Sequence, residues 1–428
     1  MPTVTSAALM PLLALEDCLG ADQAAAGATS PPPAATANTH IHLPPNFSAF
    51  ETVARALDLA AEQGVRVLGA SNYYDYTVYE SFAAGARARS IFPLFGAEII
   101  AMDDILRLSG VKVNDPGNPG KIYFCGKGIV RFDPADQPPA AQYLLEQIRR
   151  RDAHRIDEMA RRLADYCAAH GVESPLDAAD IHARVVARHA CPPATVTLQE
   201  RHLAQAYQEL LFETTPRDRI TDRLRALLGA PVEPSDDPAA VQNALRAHLL
   251  KSGKPAFVEE DYVTLEEARR LVLELGGIPC YPVLADGTEP ITEFESDPET
   301  LIAHLRQLRV HCVEFIPVRN RPEVLLRYVR ALRAAGFVAT AGTEHNTLEP
   351  LPVAPTCRDG APLPAEARTI FWEGACVVAA HQFHAARGAD GFVNARDEPN
   401  RRFENDEQRI AAFAGTGARL IEAFCRRA

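Results

Sequence analysis

The chain has 428 residues, of which 47% are hydrophobic and 23% charged, enough apolar material for one large domain with insertions or for two domains. Its 44 basic and 56 acidic residues leave a formal charge of -12, with Lys and Arg scattered rather than massed in a stripe, which argues against a nucleic-acid partner. No apolar run reaches membrane-spanning length, and nine cysteines without a CxxC pair read as reduced thiols of a soluble, cytoplasmic protein.

In chain order, the leader 1–37 ends in the Pro/Ala-rich Ser30-Pro31-Pro32-Pro33-Ala34-Ala35 and predicts an extended, poorly packed segment. Its apolar stretch 7–15 lacks a basic start and is followed by Glu16 and Asp17, so it does not read as a signal peptide. Order is expected from Asn38, with a strand carrying His40 and His42. Ser48 then suits the cap of a helix that Gly64 closes, and a strand follows at 65–70. The alternation continues with a helix near 78–89, a strand at 91–99, a helical piece at 103–108 and a strand at 121–125. Strands alternating with helices imply parallel strands joined by right-handed crossovers.

From about 138 to 250 the alternation stops, and the stretches 142–171, 198–211 and 217–228 carry helical periodicity between Pro-rich loops. Alternation returns with helix 264–275, strand 278–283, helix 299–308, strand 312–318, helix 322–335 and strand 337–341, and the tail from 365 onward is helical. The division is therefore a leader 1–37, a barrel from 38–130 and 255–350, a helical insertion 131–254 and a helical extension 351–428. Six or seven strand–helix units, interrupted once, argue for an α/β fold, a closed or nearly closed TIM-like barrel. Chemistry in such barrels gathers where strands end. The insertion reads as either a lid over that rim or a dimerisation arm, so a homo-oligomer is compatible with the sequence.

Residues two apart on a strand share a face, so His40 and His42 can grip one ion. The strand ends then carry Ser71-Asn72-Tyr73-Tyr74-Asp75, Gly96-Ala97-Glu98, Tyr123 with Cys125, Gly276-Gly277-Ile278-Pro279-Cys280-Tyr281-Pro282, Arg319 with Arg321, and Ala341-Gly342-Thr343-Glu344-His345-Asn346. In that order the chain resembles the PHP family, named for polymerase and histidinol phosphatase proteins. The resemblance covers 38–130 and 255–350. It implies a distorted seven-stranded barrel whose rim binds divalent metals and hydrolyses phosphate esters. Carried over by position, His40, His42, Glu98 and Glu344 would hold one metal, with Zn, Mn or Fe suited to such donors.

The chain departs from the family where Tyr73, Tyr123 and Tyr281 replace histidines and Asn346 replaces the last one. A phenol, with a pKa of about 10 against about 6.5 for imidazole, is a poor ligand at neutral pH. A reduced, mononuclear site is therefore expected, the tyrosines filling the space of lost metals or, alternatively, one phenolate binding ferric iron. The resulting expectation is a metal-dependent phosphoesterase using metal-bound hydroxide, with Asp75 and His345 as general acid/base candidates. Lys127, Arg319 and Arg321, together with Tyr73, Tyr123, Tyr281 and Asn346, would bind a small anionic substrate. The rival from another class is a non-catalytic PHP-like binding or sensor protein. A minor alternative is an amidohydrolase-like lactonase or deaminase, against which stands the lack of a lysine at the fourth-strand position. His381 and His384, at i and i+3, read as packing residues, and Lys251-Ser252-Gly253-Lys254 lacks the pattern of a phosphate loop.

Overall fold

The computed structural model describes residues 5–16, 34–349 and 351–427. Eight strands occur among them: β1 Thr36–Ile41, β2 Val65–Ala70, β3 Phe92–Met102, β4 Lys121–Lys127, β5 Val263–Thr264, β6 Ile278–Val283, β7 Cys312–Phe315 and β8 Val338–Ala341. The sheet runs β1-β2-β3-β4-β6-β7-β8, with the two-residue β5 beside β3. Its ends approach one another: Ile41 bridges Glu344, and the N–H groups of Thr343 and Glu344 donate to the His40 carbonyl at 3.0 and 2.9 Å. The result is a nearly closed barrel of seven strands with helices outside.

The expectation of parallel strands throughout fails at one strand. β4 is antiparallel to both β3 and β6. Between β3 and β4 the chain has only the five-residue helix Asp104–Leu108, whose Ile105 and Leu108 are 77% and 82% exposed. Such a helix packs only the half-buried Leu106 against the core, too little to cover a crossover, and β4 returns alongside an extended β3. β4 also runs two residues beyond the expected Cys125, to Lys127.

The strands are buried along most of their length because they are covered on both faces, even where, as in β1 and β4, they carry polar residues. The outer layer includes Val53–Glu62, Leu265–Glu274, Pro298–Gln307 and Pro322–Ala334, whose apolar stripes face the sheet. The first of these is capped by Thr52, whose hydroxyl accepts the Arg55 N–H, rather than by Ser48, which instead donates to the His42 carbonyl at 2.7 Å. The Ala/Val-rich helix Ala365–Ala386 is buried around most of its circumference. It lies so close to β8 that a Cβ at Gly374 would come within 2.0 Å of the Ala339 oxygen.

Residues 5–16 are not a loose leader. Leu9, Leu12 and Leu15 are buried, and the short helix Met10–Leu13 touches both Ala365–Ala386 and Asp406–Arg427. The Pro-rich part at 31–33 lies outside the described residues.

The stretch between β4 and β5 is helical: Pro139–Ala169, Ala178–His189, Glu200–Thr214, Ile220–Leu228 and Pro238–Leu245, the last running into a π-helical turn at Arg246–Leu250. These helices bury their own apolar cluster, including Met159, Leu163, Leu203, Tyr207, Leu224 and Leu249, separate from the barrel core. Two of them, 178–189 and 238–245, carry Asp caps at Asp177 and Asp237, a signal not used in the sequence reading.

Candidate metal centre and the cavity above it

β1 points the His40 side chain inward, and the backbone turning after Ile41 presents His42 beside it. Their Nε2 atoms are 3.3 Å apart. Glu98, on β3, brings Oε2 to 3.2 Å from His40 Nε2 and 2.9 Å from His42 Nε2. All three side chains are almost completely buried. Yet Glu98 Oε2 makes no hydrogen bond of acceptable geometry, and neither does His42 Nδ1. Three donor atoms roughly 3 Å apart match the spacing of ligands around an ion with bonds of about 2.0–2.2 Å. An orphaned buried carboxylate oxygen aimed between two imidazoles therefore fits a divalent metal better than it fits a hydrogen-bond network.

Behind this set lies a second polar layer. His40 Nδ1 is 2.6 Å from Glu314 Oε2, and Glu314 Oε1 is 2.5 Å from Lys127 Nζ and 2.7 Å from the Thr39 hydroxyl. Burial pushes the His40 pKa down, but the charge and hydrogen bond of Glu314, with a further bond to Cys125, raise the value well above the usual imidazole range. With an ion at Nε2, the same contact becomes an Nδ1–H donating to the carboxylate, which fixes ring orientation. The seat is tight: a Cβ at Gly342 would fall 2.5 Å from the His40 Cβ and 3.2 Å from Glu314 Oε1. Glu314 and Lys127 together explain how a buried charge survives here, since each neutralises the other.

The Tyr73 hydroxyl donates to Glu98 Oε1 at 2.8 Å, and its ring stacks on His42 with centroids 5.0 Å apart. Burial and the Glu98 charge hold this phenol well above its usual pKa. For Tyr123, Lys121 pulls the value down, but burial and nearby carboxylates outweigh it and leave it pushed up to about 12. Both hydroxyls are therefore protonated at neutral pH in the ion-free protein.

A cavity of about 370 Å³ opens above the set and includes His40, Glu98, Tyr73 and Tyr123 in its wall. Its far side comes from the insertion, which contributes Asp152, Arg155, Gln199, Glu200, Arg201, Arg246 and Lys251. The insertion is tied to the loop after His42 by the Phe47 N–H, which donates to Gln199 Oε1 at 2.8 Å. The helical segment thus roofs the rim, as a lid does.

Several residues anticipated from the sequence stand elsewhere. Glu344 lines the cavity, but its carboxylate is taken by Arg319 and by Asn346 Nδ2 at 3.1 Å, so it stands outside the convergent set. Backbone φ angles of +59° at Glu344 and +55° at His345 turn the chain there, in a region that side chains other than glycine enter at a cost. His345 is buried, bonded to the Thr343 hydroxyl and the Leu351 carbonyl and stacked on Phe50, away from the cavity. Asp75 accepts the Thr77 N–H in its own loop and does not line the cavity.

Lys127 is sealed behind His40 by Glu314 and cannot touch a substrate. It does sit on the fourth strand, where the sequence reading found no lysine, but its ammonium is committed to that pair. Tyr281 is fully buried and donates to Glu295 at 2.7 Å. Arg321 pairs with Asp286 at 2.9 Å, outside the cavity wall. Arg319, Tyr73, Tyr123 and Asn346 do line it. The reading missed Glu314 as the partner of His40 and missed the insertion's charges altogether.

No family model matches the chain, and no curated protein matches it. Among solved structures, the fold resembles that of a protein from Bifidobacterium adolescentis provisionally designated a metal-dependent phosphoesterase. The TM-score is 0.52 at 16% identity, over 80% of this chain and 96% of that one. An amidohydrolase from Chromobacterium violaceum, with bound sulfate and no metal, aligns over 78% of this chain and 97% of that one at 18% identity. Its TM-score of 0.48 adds no weight. The fold is thus that of barrel-type proteins, and no described helix is long and apolar enough to cross a membrane.

Proposed function

We propose that the protein is a metal-dependent hydrolase of phosphate esters with a reduced, mononuclear site of PHP type. The observation that carries this reading is the convergence of His40 Nε2, His42 Nε2 and the unsatisfied Glu98 Oε2 on one point beneath a roofed cavity. Lewis acidity toward a phosphoryl oxygen and toward water is the chemistry that Zn, Mn or Fe supplies when held by such donors. The chain's own residues do the rest. Glu314 orients His40, Tyr73 holds Glu98 through its second oxygen, and the insertion keeps bulk water from the reacting group. The protonated Tyr123 hydroxyl stands in the wall as a donor to an anionic oxygen, while the Tyr73 proton is committed to Glu98. The Bifidobacterium protein's provisional designation agrees with this reading.

The test is elemental metal content per chain, measured beside hydrolysis of p-nitrophenyl phosphate before chelation, after it, and after return of Zn, Mn or Fe. About one ion per chain, with turnover that follows it, is the expected result. A chain that takes up no ion even after loading would instead favour the second reading, a barrel that binds without catalysing. That reading draws on the capture of Glu344 by Arg319, which leaves only three convergent donors.

A further inference from the structure

The cavity wall carries six Lys and Arg side chains, and five of them are already neutralised. Lys121 lies 2.8 Å from Glu260 and 3.3 Å from Asp115, Arg155 is 2.9 Å from Asp152, and Arg319 holds Glu344. Glu200 serves two cations at once, Arg246 at 2.8 Å and Lys251 at 2.9 Å. Those five cations meet five carboxylates, and the one remaining wall carboxylate, Glu98, faces the two histidines.

Arg201 is the exception. It is the second residue of the helix Glu200–Thr214, lines the same cavity, and forms no ion pair among the described residues. Its guanidinium lies 5.9 Å from the centre of the Phe47 ring, and Phe47 is in the loop that leaves His42. It shares the cavity wall with Tyr73, Tyr123, His40 and Glu98. Burial, with Arg246 adding repulsion, pulls its pKa down to about 10, so it stays charged at neutral pH while lacking a counter-ion. A largely buried guanidinium without a carboxylate has its fork of N–H donors free for an oxyanion.

We infer that Arg201 is the substrate-anchoring residue of this cavity, and that the substrate presents one compact oxyanionic group to it rather than a polyphosphate chain. The inference rests on the reading of the cavity as a substrate site. It replaces the anticipated clamp of Lys127, Arg319 and Arg321, each of which already has a carboxylate. It also gives the insertion a role in recognition, since no barrel strand supplies an unpaired cation to the wall.

The experiment is calorimetric binding of inorganic phosphate and of pyrophosphate to the full chain as purified, in the wild type and in Arg201→Ala and Arg201→Lys, with thermal melts to check folding. Arg201→Ala is expected to weaken phosphate binding about tenfold or more, and Arg201→Lys to recover part of the loss. Pyrophosphate should bind the wild type within about threefold of phosphate, because a second phosphoryl group finds no free cation. Unchanged phosphate affinity in Arg201→Ala would overturn the anchoring role, and if that variant fails to fold, unchanged affinity in Arg201→Gln would do the same. Pyrophosphate binding tenfold tighter than phosphate would overturn the single-group assignment. The same titration of a His40→Ala/His42→Ala protein separates the two readings: phosphate binding that still depends on Arg201 there stands even if the chain proves to be no metal enzyme.

Discussion

The barrel floor and the helical roof meet across one cavity but are built on opposite plans. On the floor, each charged group is buried, fixed by a neighbour within about 3 Å and carried by a strand: His40 by Glu314, Glu314 by Lys127, Glu98 by Tyr73. The roof holds its charges on helices that pack around their own apolar cluster, and its ion pairs face the cavity wall. A floor of this kind is preorganised, whereas a roof of this kind can be altered in sequence without disturbing the barrel core. The difference suggests where chemistry and where selectivity reside, and substitutions on either side can break that assignment.

The largest effect should come from the floor. Glu98→Ala removes the only carboxylate in the convergent set and should strip the metal, lowering phosphoesterase turnover at least about a thousandfold, the equivalent of several kcal/mol of barrier. Glu344→Ala should retain the ion, since that carboxylate sits on Arg319. Metal content of the two variants decides the matter. Loss of metal from Glu344→Ala would restore the four-ligand set that the family resemblance implies.

Next in size is the layer behind the ligands. Glu314→Ala leaves Lys127 buried without a counter-charge, a cost of about 3–5 kcal/mol in unfolding free energy. Adding Lys127→Met should return much of that stability but not the orientation of His40. Denaturant melts would show the recovery while metal affinity stays weakened. Equal recovery of both would mean that Glu314 serves the fold alone.

The floor was legible in the sequence and the roof was not, for a physical reason. A strand repeats every two residues, so His40, His42 and Glu98 could be placed on inward faces from spacing and strand ends. The partner of Glu314 was not legible, because which cation reaches it depends on β4 running antiparallel, and a short exposed helix gave no sign of that reversal. Arg201 carries no local signature at all. Its standing comes from subtraction, once all other cations of the wall are seen to be paired, and pairing is a property of tertiary structure. Tyr281 failed for the opposite reason: its motif was legible, but a buried Glu295 had claimed the hydroxyl.

That Tyr281–Glu295 pair yields a smaller, pH-dependent effect on the barrel side. Burial raises the Glu295 pKa from 4.5 to about 7, against the opposing pull of the Tyr281 hydroxyl and the Leu284 and Ala285 N–H groups. The folded state therefore holds this proton more tightly than the unfolded chain, and the associated stability is present below pH 4.5 and lost as the pH rises through about 7. Glu295→Gln should flatten this part of the stability profile, as read by melts across pH 4–8. Tyr281→Phe should cost about 1–3 kcal/mol without changing turnover, because the side chain does not reach the cavity. A Tyr281→Phe protein with native stability and lost turnover would return Tyr281 to the substrate site.

The smallest expected effect lies at the seam between floor and roof. Gln199 sits at the N-cap of the helix that carries Arg201, and its side chain accepts the Phe47 N–H from the loop following His42. Gln199→Ala leaves that N–H without its partner, a cost of about 1 kcal/mol of local stability. The barrel core and the apolar cluster of the insertion are untouched, so global unfolding should shift little while hydrogen exchange rises in residues 44–50 and at the start of the helix. KM for a phosphomonoester should rise more than kcat falls, since the substitution loosens Arg201 and not the metal ligands. A fall in kcat at constant KM would mean that the seam positions His42 instead, and that floor and roof are one unit.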